Sequence, residues 1–259
     1  MIQALFIASV LPVILIGTYI YKKDKEKEPT KLLVSLFIGG IGACFLTLFL
    51  SLILGMLIPF FNVDQESLNR VQLLVQVFLG VALVEEFSKW IVLYKISYKD
   101  KAFDELYDAL LYGMFVALGF ACFENLLYVF SDGFGVALTR GLLAVPGHAC
   151  DGMFMGYFLG QSKIGLLYGD KQKQKNNLLL SVLVPTITHG IYDYLLFEGS
   201  VISVIVFFIF VIIIYIYVYR KIKAVSSINR KMKYEYNYCP NCGHIVESNF
   251  CPKCGRENK

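Results

Sequence analysis

The sequence predicts an all-α polytopic membrane protein of about seven transmembrane helices with a small zinc ribbon at its C-terminus. Three observations carry this. Of 259 residues, 57% are hydrophobic and only 17% charged, and a mean hydropathy of +0.61 lies outside the range of a soluble domain. Apolar runs of spanning length recur along the chain, separated by short charged connections. Cysteines crowd the end of the chain at zinc-ligand spacing. The net charge of +4 is small, and Lys and Arg fall in the connections rather than on one basic face, so nucleic-acid binding is not expected.

A spanning helix needs about 20 apolar residues, since a rise of about 1.5 Å per residue then crosses about 30 Å of hydrocarbon. Segments that qualify lie near 2–21, 32–58, 71–94, 107–130, 141–161, 178–197 and 201–219. The first opens without Lys or Arg and runs straight into charge, which reads as an uncleaved helix rather than a signal peptide. The fifth is the weakest of the seven, since Gly141, Pro146, Gly147 and Gly152 lower its helix propensity and could break or shorten it. Lys22, Lys23, Lys25, Lys27 and Lys31 follow the first segment, whereas only Arg70 precedes the third. Lys95, Lys99 and Lys101 follow the third, lone Arg140 the fourth, Lys163, Lys171, Lys173 and Lys175 the fifth, and a further basic run the seventh. Every second connection is basic, so the positive-inside rule predicts a multi-pass cell-membrane protein with its N-terminus outside and its C-terminus in the cytosol. The expected organisation is a membrane domain over 1–219, a basic linker over 220–237 and a ribbon over 238–259.

The tail carries Cys239-Pro-Asn-Cys242-Gly and Cys251-Pro-Lys-Cys254-Gly. In each knuckle two thiolates turn towards one ion and the glycine permits the tight turn. So short a segment cannot bury a core of its own, so a structural zinc would supply its folding free energy. In a reducing cytosol disulfides are not expected. A ribbon of this size grips a protein, a nucleic acid or another part of its own chain, and of these a protein partner is the expectation. Cys44, Cys122 and Cys150 stand singly in apolar stretches and read as packing residues.

Ionisable groups lie inside several predicted spans. The third contains Glu85, Glu86 and Lys89, with Glu85 and Lys89 on one face, and adjacent glutamates point about 100° apart, so one can face a site while the other braces a neighbour. The fourth carries Phe120, Glu124 and Asn125; the fifth His148 and Asp151; the sixth His189 and Asp193. A charged group at mid-bilayer costs about 2.5–3.5 kcal/mol on insertion scales, so such residues face the bundle interior and find partners. Their concentration in helices three to six implies one shared polar cavity. Three uses fit it: activation of water for hydrolysis, with or without a metal; ion or proton transport; or structural pairing, with the ribbon making the chain a scaffold.

Glu85-Glu86-x-x-Lys89, Phe120-x-x-x-Glu124-Asn125 and His189-x-x-x-Asp193, in that order on successive helices, resemble the PrsW family of bacterial intramembrane proteases. These are related to the CAAX prenyl endopeptidases and bacteriocin-processing membrane proteases. The resemblance covers roughly residues 70–200. It implies site-1 cleavage of a single-pass membrane substrate of anti-sigma-factor type. Glu85 or Glu86 would activate water, and His148 and His189 would complete the centre, as ligands if a catalytic zinc is bound. Lys89, Glu124, Asn125 and Asp193 would support them.

Overall fold

The computed structural model describes residues 2–228, 231–232, 237–238, 245–246, 253–254 and 256. The chain runs α1 (Ile2–Lys23), α2 (Thr30–Leu57), two 3-10 turns (Pro59–Asn62 and Gln65–Ser67), then α3 (Arg70–Val75), a π-helical segment (Gln76–Ala82) and α4 (Leu83–Ser97) in one rod. Next come α5 (Leu106–Asp132), the short α6 (Phe134–Leu142), α7 (Ala144–Leu167), α8 (Lys171–Glu198) and α9 (Val201–Ile228). A two-residue antiparallel pairing joins β1 (Asn237–Tyr238) to β2 (Ile245–Val246). Cys239, Cys242 and Cys251 of the predicted ribbon lie outside the described residues; Cys254 is described and exposed.

Among the described residues, six helices are long and apolar enough to cross a membrane. The predicted fifth span exists as α7, 24 residues long, and differs from the others in polarity, so the count of candidate spans is six to seven. Its glycines and Pro146 neither break nor shorten it. Pro146 falls in the first turn, where a missing N–H is tolerated. The glycines instead let α7 approach α5 until backbones touch: a Cβ on Gly113 would strike the Gly152 carbonyl, and one on Gly156 the Ala109 carbonyl. Small-residue contacts of this kind are how helices associate where lipid removes the hydrophobic drive between them. The helix also starts later than the predicted 141, because Leu143 separates it from α6.

α5 lies at the centre, with 83% of its spanning window buried. It packs on α7, α2 and α1, and α2 reaches it through Gly40, whose Cβ would meet the Val116 carbonyl. Leu, Ile, Phe and Val on α1, α2 and α9 remain exposed, as a lipid-facing shell requires. The basic sequence after residue 219 begins as a helical continuation, since α9 runs to Ile228.

Candidate active site

Two local features set the Glu85–Glu86 pair. Asn69 caps the rod, its side chain accepting from Val71 and Gln72 amides at 3.1 and 3.0 Å while Gln72 accepts from the Asn69 amide. The π-helical segment then ends one residue before α4, with the Leu83 amide bonded to the Phe78 carbonyl. One extra residue in that turn re-phases the following face by about 100°.

The two glutamates receive different surroundings. Glu86 is wholly buried; its Oε1 accepts from Lys89 Nζ at 2.7 Å and lies 2.8 Å from His189 Nδ1. Glu85 lines a cavity of about 620 Å³ together with Glu124, Arg140, His148, Asp151 and His189. Its carboxylate lies 3.5 Å from Lys89 and 3.9 Å from His189 Nε2. Lys89 is therefore held by both glutamates, by His148 Nδ1 at 3.1 Å and by the face of Phe120 at 3.9 Å.

An ammonium only donates, so His148 Nδ1 accepts from Lys89 and Nε2 carries the proton it gives to Glu124, 2.8 Å away. Glu124 also accepts from Arg140 at 2.6 Å. On the other wall, His189 Nε2 lies 3.3 Å from Asp193, and Thr188 donates to Asp151. The rings of His148 and His189 stand 5.3 Å apart, edge to face.

The structure thus brings together Glu85, Glu86, Lys89, Glu124, His148, His189 and Asp193 from α4, α5, α7 and α8. It does not bring Asn125 with them: that amide, fully buried, donates to the Ser9 carbonyl of α1 at 2.9 Å and ties two helices. Sequence reasoning missed Arg140, which looked like a lone loop charge but comes from α6 and stacks on Tyr128 at 4.0 Å. It placed Asp151 in the shared cavity through its i,i+3 spacing to His148 but gave it no role in the centre. Depth follows from helix rise: Glu124 is about 12 Å and His189 about 14 Å from the Asp132 and Glu198 ends of their helices, within hydrocarbon depth of one side.

Could the residues hold a metal? One donor atom each from Glu85, Glu86, His148 and His189 lie within 4.8 Å of one another. Glu86 Oε2 is buried without a hydrogen-bond partner. Two imidazoles and two carboxylates are a donor set that suits zinc, so the residues fit such an ion.

Comparison with known proteins gives the same direction. The model of the PrsW family intramembrane metalloprotease matches residues 28–218. A protein named Protease PrsW from Oceanobacillus iheyensis is 35% identical over 189 residues, covering 73% of this chain and 81% of that one. Its namesake from Bacillus subtilis is 34% identical over 194 residues, 74% of this chain and 83% of the relative. The Clostridioides difficile protein of that name is 31% identical over 213 residues, 79% and 85% of the two chains. No solved structure gives a significant match. With a family model spanning most of the chain and a polar centre walled by four helices at membrane depth, this protein belongs to the PrsW family of membrane peptidases.

Proposed function

We propose that the chain cleaves a single-pass membrane protein, of the anti-sigma-factor type that the family resemblance suggests, by attack of a water that Glu85 activates. The observation that carries this reading is the division of labour between adjacent glutamates: Glu86 is spent on Lys89 and His189, while Glu85 faces the cavity. Family membership favours hydrolysis over the transport and scaffold readings.

In this mechanism a substrate segment enters the cavity beside α6. Glu85 takes a proton from water as the oxygen attacks the scissile carbonyl carbon, and returns it to the departing amine. Lys89 holds Glu86 and, through Nδ1, fixes the His148 tautomer. Glu124 orients His148, and Arg140 fixes Glu124. Asp193 orients His189 from the adjacent turn. When bound, a zinc ion held by Glu86, His189 and His148, the last giving up its bond from Lys89 at Nδ1, would polarise the water and the carbonyl.

The basic connections support an orientation with the N-terminus outside and the C-terminus in the cytosol, which places the cavity towards the outer face. Cys239, Cys242, Cys251 and Cys254 would then hold a structural zinc in a cytosolic ribbon that binds a protein partner.

The test is processing of a co-expressed membrane substrate by His148→Ala and His189→Ala variants. Loss of the cleaved product at parental expression is expected for each, and undiminished cleavage by either removes the proposal.

A further inference from the structure

A second cluster of carboxylates lies at the opposite end of α5, away from the cavity. Asp24 follows α1, Glu105 caps α5, and Asp108 sits in its first turn. All three are buried, with 3%, 2% and 0% exposure. One carboxylate oxygen from each lies within 4.8 Å of the others.

What sets the cluster apart is that four of its six carboxylate oxygens are buried without a hydrogen bond. Asp108 uses Oδ2 to accept the Asp104 and Glu105 amides at 3.1 and 2.6 Å, leaving Oδ1 unbonded. Both oxygens of Asp24 and Oε2 of Glu105 are likewise buried and make no hydrogen bond of good geometry, the Glu26 and Glu28 amides being the polar groups beside Asp24. The nearest cations are committed elsewhere. Lys231 pairs with the exposed Glu26 and Asp104 at 2.9 Å and stands 3.7 Å from Glu105. Lys27 gives its ammonium to the backbone carbonyls of Tyr21 and Asp24. Glu28 adds another carboxylate close by, engaged by the Tyr112 hydroxyl. Three carboxylates buried together, with one long ion pair from Lys231 and hydrogen bonds to only one of their oxygens, are strongly unfavourable unless a further positive charge or proton joins them.

We infer that Asp24, Glu105 and Asp108 form a binding site for a hard divalent cation, Mg²⁺ or Ca²⁺, separate from the intramembrane centre. The donors are oxygens alone, with no imidazole or thiolate, which selects hard cations over zinc. The ion joins the α1–α2 connection to the start of α5. It also steadies the segment after α9, because the Met232 amide donates to the Asp104 carbonyl at 2.6 Å and Lys231 bridges Glu105. The inference stands whether or not the catalytic reading does.

The experiment uses the full chain, purified in detergent and stripped with chelator, with Mg²⁺ or Ca²⁺ added back while the unfolding midpoint is followed. A rise of about 3–6 °C is expected at tenfold excess over the dissociation constant. Asp24→Asn, which leaves the α5 cap intact, and the Asp24→Asn/Glu105→Gln double variant should lose that rise. A His148→Ala/His189→Ala variant, whose intramembrane donors are dismantled, should keep it. Mn²⁺ binding, read from loss of the free-ion paramagnetic signal, serves any variant that unfolds too early to melt. No cation response in the parent, as when the carboxyls share protons instead, or an undiminished response in the Asp24 variants, overturns the site.

Discussion

Replacing the two adjacent glutamates one at a time separates chemistry from structure. Glu85 contacts Lys89 at 3.5 Å and His189 at 3.9 Å, and its side chain is 12% exposed, so Glu85→Gln weakens two long contacts while Lys89 keeps Glu86. The expected stability cost is about 1 kcal/mol. If Glu85 is the base, cleavage falls by about 100- to 10,000-fold, equivalent to about 3–5 kcal/mol of barrier. Glu86→Gln acts first on stability. Glu86 is fully buried and bonded to Lys89 at 2.7 Å and to His189 at 2.8 Å, so neutralising it leaves Lys89 without its main partner. Breaking one side of such a pair costs about 3–5 kcal/mol, or about 6–20 °C in unfolding midpoint for a chain of this size.

Two readouts are therefore needed: cleavage of a single-pass substrate reconstituted with the purified protein, and the unfolding midpoint in the same detergent. Glu85→Gln should be inert and near-normal in melting, and Glu86→Gln clearly destabilised. Parental cleavage by Glu85→Gln, or a Glu86→Gln protein that melts like the parent, would refute the assignment of roles.

Other residues give sharp expectations. Asn125→Ala loses only the bond to the Ser9 carbonyl, so it should destabilise by about 0.5–1.5 kcal/mol and retain cleavage at low temperature. Arg140→Ala frees Glu124 and should cut turnover by at least about tenfold while the midpoint moves little, checked with the same two assays. Gly152→Val drives a side chain against the Gly113 carbonyl and Ala117, and should cost about 1–3 kcal/mol or more, visible as lost midpoint and yield. Truncating residues 239–259 should remove one zinc per chain by elemental analysis. If the intramembrane centre also binds zinc, one equivalent should survive truncation and leave with His148→Ala/His189→Ala, and chelation should stop cleavage of the truncated protein.

Much of this architecture is legible in the amino-acid sequence because hydrocarbon imposes simple rules. Six spans and the alternation of basic connections follow from length and charge alone. α7 was harder to place, since glycines that weaken a helix in water are the residues that let α7 lie against α5. The shared cavity was legible from the cost of ionisable groups at depth, and so was the principle that neighbouring glutamates diverge. Which glutamate faces the cavity was not legible, because the π-helical turn that fixes the phase leaves no recognisable sequence mark. Asn125 sits beside Glu124 in the motif but on another face, so adjacency misled. Arg140 was misread because α6 is too short to register as a span, and the Asp24–Glu105–Asp108 cluster because its members come from separate connections.

The chemistry and the packing are linked through α5. One face of that helix is stripped of side-chain bulk at Ala109 and Gly113 to admit α7, and one turn beyond the contact with Gly113 α7 presents His148. Glu124 comes from the same α5, so the distance between Glu124 and His148 depends on how closely the two backbones approach. A hydrogen bond of 2.8 Å tolerates little displacement, and misplacing catalytic groups by about 1 Å can cost about a hundredfold in rate. The stripe of small residues thus sets the geometry of the polar centre as well as the fold. Gly152→Val should accordingly lower cleavage beyond the loss explained by its unfolded fraction. A variant that melts early yet cleaves at the parental rate per folded molecule would show that α5 and α7 can separate without disturbing the centre.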